Sequence, residues 1–87
     1  MKFVESQTAK SAQTYVIRAT WDDEAKVWVA ASDDVPGLVA EASSVEKLIE
    51  KLRALVPEML EANGVSAPPA YQVRLVAQYQ EQITLPA

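Results

Sequence analysis

Apolar residues recur at Val45, Leu48, Ile49, Leu52, Leu55, Val56 and Met59, the i, i+3, i+4, i+7 spacing of one helical face. Glu46, Lys47, Glu50, Lys51, Arg53 and Glu58 fill the opposite face. The pattern predicts one amphipathic helix of about eighteen residues, roughly 27 Å long and matched to an eight-residue strand. Ser43 followed by Glu46 reads as a capping box at its start. Asn63-Gly64 supplies the left-handed residue that ends it. Pro57 lies inside and removes the hydrogen bond to the Arg53 carbonyl, at about 3 kcal/mol. Because Val56, Met59 and Leu60 stay on or beside the apolar stripe, the expectation is a kinked helix rather than two helices.

Before and after the helix the period changes to two. Thr14 to Trp21 sets Tyr15, Ile17, Ala19 and Trp21 against Val16, Arg18 and Thr20, a half-buried strand. Asp22 to Lys26 forms a turn, and Val27 to Ala31 is apolar on both faces, as a central strand would be, with Trp28 facing away from Val27 and Val29. In Ser32-Asp33-Asp34-Val35-Pro36-Gly37, Pro sets one backbone angle and Gly permits a positive one, which predicts a type II turn. Leu38 to Ala42 follows as a third strand. Beyond the helix, Val65 to Pro69 reads as an extended connector, and Ala70 to Gln80 alternates as a long fourth strand that Ile83 and Leu85 either extend or turn back on.

Residues 1–13 are polar after Met1-Lys2-Phe3-Val4 and read as a lead-in, with Phe3 and Val4 able to add a short edge strand. Residues 14–87 form a single domain of order β-β-β-α-β, an α+β fold with an antiparallel sheet and the long kinked helix packed on one face. One helix leaves the other sheet face uncovered, and the expectation is that Trp28, or Tyr15 and Trp21, lie there as interface residues. The fourth strand, glutamine-rich on one face, either pairs with its mate in a dimer or must be blunted as an edge.

Composition narrows the chemistry. Eighty-seven residues make one small core that oligomerisation would help. Forty-nine per cent hydrophobic residues, 23 % charged and two glycines place the chain among ordered globular domains. With no cysteine and no histidine there is no thiol nucleophile, no imidazole base and no Cys/His zinc site. The reading is therefore non-enzymatic, with no catalytic residues, no cofactor and no metal. Asp22, Asp23 and Glu24 with Asp33 and Asp34 invite comparison with a Mg²⁺ site, yet both groups fall in turns, where aspartates bond their own backbone. Net charge is −4 with cations interleaved among glutamates, which disfavours nucleic acid and suits a basic protein partner. The absence of a transmembrane run or signal peptide suggests a cytoplasmic protein without membrane contact.

The run TWDDEAKVWVAASDDVPGLVAEASSVEKLIEKLRALVPEML carries three distinctive features. They are the W-D-x-E-A-x-V-W-V-A hairpin at Trp21 to Ala30, the D-D-V-P-G-L turn at Asp33 to Leu38, and P-E-x-L at Pro57 to Leu60. In these the chain resembles a small bacterial family of uncharacterised proteins within the HicB-like antitoxin group. The resemblance implies a HicB-like fold similar to part of RNase H without its activity, assembling as a homodimer or higher homo-oligomer. HicB antitoxins silence HicA, a small basic toxin that cleaves RNA, by covering its active site, so a HicA-like toxin is the implied partner. The chain departs from HicB proper at Leu38, where a cysteine is common, and at Leu52-Arg53, where Asn-Ala is common. Many HicB proteins also carry a DNA-binding domain that these 87 residues lack. On this reading Trp28, Val35, Pro36 and Leu38 would contact the partner, and Tyr71, Val73 and Leu75 the oligomer mate. The alternative is a stand-alone oligomer that binds a small ligand at a subunit interface.

Overall fold

A computed structural model describes residues 13–86 of the chain. The lead-in expected over residues 1–13, with its short strand at Phe3 and Val4, lies outside the described residues except for Gln13.

Four strands and one helix form: β1 (Thr14–Asp22), β2 (Val27–Ala31), β3 (Val39–Ala42), α1 (Val45–Ala62) and β4 (Gln72–Gln78). The first three make the expected antiparallel meander, with Ala19 opposite Ala30 and Ala30 opposite Ala40. The sheet order is β3-β2-β1-β4, and β4 runs parallel to β1, from Thr14 opposite Gln72 to Thr20 opposite Gln78. The sheet is thus mixed rather than antiparallel. Two antiparallel steps leave β3 running in the same direction as β1, and a helix laid across one face returns the chain in that direction too.

Alternation sends Tyr15, Ile17 and Ala19 of β1, Ala30 of β2, and Ala40 and Ala42 of β3 to the helix side, where they meet Leu48, Leu52, Val56 and Leu60 in one buried core. Small alanines on β2 and β3 let the helix approach closely, while Ile17 and Leu48 are fully buried and fill the centre. Tyr71 closes the far end against Tyr15, their rings edge-on at 5.4 Å. Trp21 and Trp28 are cross-strand partners, and Trp28 also pairs with Ala42. All the aromatic residues considered for the bare face therefore lie on the helix side. The face without a helix carries Val16, Val27, Val29, Val39 and Val76 among Arg18, Thr20, Glu41 and Arg74.

The helix starts one residue later than its capping box predicts. Ser44, extended at φ −142° and ψ 159°, is the N-cap, and its hydroxyl accepts from the Lys47 N–H at 3.1 Å. Ala42 is still needed in the strand opposite Trp28, so the chain turns over Ser43 and Ser44, and Glu46 sits in the first turn, where its charge suits the helix dipole. The helix then runs unbroken through Pro57, whose ring is on the solvent side while Val56 and Leu60 stay buried. At its end Val65 N–H reaches the Leu60 carbonyl at 2.9 Å and Gly64 N–H the Glu61 carbonyl at 3.0 Å, with Gly64 at φ +73°. This is the Schellman closure that Asn63-Gly64 foretold.

Candidate functional site

Two loops and one end of the sheet hold the residues that the sequence singles out. In the loop from β2 to β3, the Leu38 N–H donates to the Val35 carbonyl at 3.1 Å across Pro36 and Gly37, and Gly37 takes φ +85°, the type II arrangement. The two apolar residues of this turn point inward: Val35 is 0 % and Leu38 2 % exposed. Of the partner-binding set, Pro36 remains at the surface and Trp28 is half-buried. The Pro36 carbonyl accepts from Asn63 Nδ2 at 2.9 Å, tying the turn to the end of α1.

The polar residues before the turn do backbone work that the sequence pattern leaves unassigned. Ser32 Oγ donates to the Val16 carbonyl at 2.6 Å and accepts from the N–H groups of Asp34 and Val35. Asp34 Oδ2 accepts from the Val16 N–H at 2.7 Å. Both peptide groups of Val16, beyond the end of β2, are thereby satisfied by side chains in place of a strand. A serine two residues ahead of an aspartate in a turn was the available signal, since both residue types favour such local bonds.

The other carboxylates behave similarly. Asp22 Oδ1 accepts from the N–H groups of Glu24 and Ala25, both at 3.1 Å, which shapes the β1–β2 turn. Lys26 completes that turn at φ +60°, its N–H on the Asp22 carbonyl at 2.7 Å. Asp34 is bonded near the start of β1 and Asp22 ends it, six residues or roughly 20 Å away. The two acidic groups do not converge, and among the described residues no group of three or more carboxylates is placed to hold a metal ion.

What the fold does assemble is an aromatic cluster at the end of the sheet where β1 stops. Trp21 and Trp28 lie edge-on at 5.5 Å, and Tyr79, just past β4, sits 6.2 Å from Trp21 and 6.3 Å from Trp28. Acid groups rim the cluster. Asp23 Oδ1 accepts from the Trp21 indole at 3.3 Å and pairs with Lys26 at 2.9 Å. The Lys26 ammonium, with the indole N–H, holds the Asp23 carboxyl below its usual range. Tyr79 Oη donates to Glu81 at 2.6 Å, and that bond pushes the phenol up. The cluster lies on the helix side of the sheet, where Trp28 packs against the core and Tyr79 is 56 % exposed.

The residues named for an oligomer interface divide. Tyr71 and Leu75 pack on the core, and Leu75 with the more exposed Val73 also forms one wall of an open groove opposite Ile49, Leu52 and Arg53.

A mixed four-stranded sheet backed by a single helix, with its turn acids bonded to backbone and its aromatics gathered at one end, defines a small α+β domain of β-β-β-α-β order. Within that class the chain belongs to the family described as Domain of unknown function (DUF1902), which it matches over residues 14–86. Its structure is similar to the crystal structure of a hypothetical protein from the extremely thermophilic bacterium Thermus thermophilus. The two are 47 % identical, the match covers 83 % of this chain and 100 % of that one, and the TM-score is 0.72. No curated protein matches the chain. No helix among the described residues is long and apolar enough to cross a membrane.

Proposed function

We propose that the chain is a non-enzymatic protein-interaction module of the HicB-like antitoxin type, which binds and neutralises a small basic RNA-cleaving toxin. The observation that carries this reading is the aromatic cluster of Trp21, Trp28 and Tyr79, with the carboxylates of Asp23 and Glu81 bonded to its rim. Large half-exposed aromatics supply the contact energy of protein interfaces, and acids beside them steer a basic partner. A chain of net charge −4 favours the same partner class. The motif resemblance to HicB-like proteins points the same way, with Trp28 as the central anchor and Pro36 as a second exposed contact.

The test is co-expression of the chain with a small basic protein encoded beside its gene. Restored growth and a stoichiometric complex are expected, with Trp28→Ala weakening the complex about tenfold or more. Circular dichroism of the variant separates lost binding from lost folding. A neighbouring gene product that is neither toxic nor bound by the chain would overturn the reading.

A further inference from the structure

β4 is an outer strand: one edge pairs with β1 and the other has no strand beside it among the described residues. On its helix side, Val73 and Leu75 face Ile49, Leu52 and Arg53 across an open groove of about 360 Å³. Val73 is 41 % and Ile49 37 % exposed, so apolar wall on both sides of the groove meets solvent. Past Gln78 the chain runs on from Tyr79 to Pro86 outside any strand, with Ile83 77 % and Leu85 82 % exposed. One chain thus carries an uncovered apolar groove beside a free strand edge, and a segment whose apolar Ile83 and Leu85 cover nothing.

The two are matched in pattern. If the segment continues the alternation of β4, Tyr79, Glu81, Ile83 and Leu85 fall on the same face as Val73, Leu75 and Ala77. Folding back within one chain would need a tight turn near Tyr79. The stretch Gln78-Tyr79-Gln80-Glu81-Gln82 contains none of the Gly, Asn, Asp or Pro residues that such turns use. A second copy needs no turn.

We propose that two copies of this chain exchange residues 79–86, each segment pairing antiparallel along the free edge of the other copy's β4. The register is set by a two-fold axis at Tyr79. Leu85 of the second copy then lies opposite Val73, Ile83 opposite Leu75, Glu81 opposite Ala77, and Tyr79 beside its own counterpart. All these pairs fall on the helix face, so the exchanged Ile83 and Leu85 fill the groove below Ile49 and Leu52. The two sheets join into one of eight strands, and both free β4 edges disappear. Residues 72–86 with Ile49, Leu52 and Arg53 give about eighteen residues a side, close to the twenty or so of a standard interface. The assembly is independent of the toxin partner, although it brings two aromatic clusters together at the axis.

The chain has no cysteine, so Leu75→Cys with Ile83→Cys introduces the only thiols. On oxidation the full-length variant should run as a covalent dimer on a non-reducing gel and return to monomer on reduction. A monomer with both thiols consumed would show a closed hairpin and overturn the exchange, and so would two thiols left free. In a second arm, light scattering across a concentration series is expected to find a dimer. Ile83→Asp with Leu85→Asp should raise its dissociation constant roughly a hundredfold or more while leaving the helical signal in circular dichroism unchanged. A wild-type monomer at all concentrations, or a dimer indifferent to the two aspartates, would equally sink the proposal. Neither arm involves a toxin, so its result stands apart from that of the co-expression test.

Discussion

Gly37 and Gly64 both take positive φ, yet their surroundings differ enough to separate conformational strain from crowding. A Cβ on Gly37 would stand 3.0 Å from Met59 Cε, whereas one on Gly64 would meet nothing within 4 Å. Gly64→Ala should therefore cost only the left-handed backbone term, about 1 kcal/mol. Gly37→Ala adds displacement of Met59 and should cost about 1–3 kcal/mol, and thermal melts should rank the two variants in that order. Asp23 offers a second residue-scale prediction. Its carboxyl is held below the ordinary value by Lys26 and the Trp21 indole, so it binds protons less readily folded than unfolded. The stability this adds is fully present above the usual aspartate value near 3.8, and is lost as pH falls from there through the lowered folded value. Lys26→Met should narrow the gap from wild type only below about pH 4 in urea titrations. A gap that closed nearer neutrality would point to another group.

At the scale of elements, α1 makes the sharpest predictions. With Ser44 as the N-cap, Ser44→Ala should lower stability by about 1 kcal/mol while Ser43→Ala stays within about 0.5 kcal/mol. The reverse ranking would return the cap to Ser43. Pro57 sits on the exposed side of the helix. Pro57→Ala allows an N–H bond to the Arg53 carbonyl and should raise stability by about 1–3 kcal/mol, part of the gain being offset by a freer unfolded chain. A rise in Tm of several degrees is the measurable result. Sequence periodicity located this helix and all four strands, because burial of one face imposes its period directly on the residues. Their ends shifted by one or two positions: β3 begins at Val39 rather than Leu38, and β4 covers Gln72–Gln78 rather than Ala70 to Gln80. Leu38 is drawn from the strand into the core by the turn at Gly37.

For the whole molecule, the proposed basic partner makes association depend on salt. Raising ionic strength shortens the range of the acid rim, so the on-rate should fall more steeply than the off-rate rises. Glu81→Gln, which removes an exposed charge bonded to Tyr79 at the rim of the cluster, should slow association several-fold while leaving Tm nearly unchanged, as stopped-flow mixing with the partner would show. An unchanged on-rate would remove the acid rim from recognition.

By itself the sequence determined the element order, the type II turn, the Schellman closure of the helix and the residue types absent from any chemistry. Each is a local matter, decided by neighbours within a few positions. The core positions of Tyr15, Ile17 and Ala19 were also legible, since alternation records which face of a strand is buried. Only the tertiary structure decided that β4 joins β1 in parallel, which depends on where an eighteen-residue helix returns the chain. It also decided that Val35 and Leu38 are core rather than contact residues, that Asp34 serves the peptide of Val16 across the loop, and that Trp21, Trp28 and Tyr79 meet. Those are contacts between residues far apart in the chain. Strand register and crossover geometry create them, and neither quantity is written in the period of any one segment.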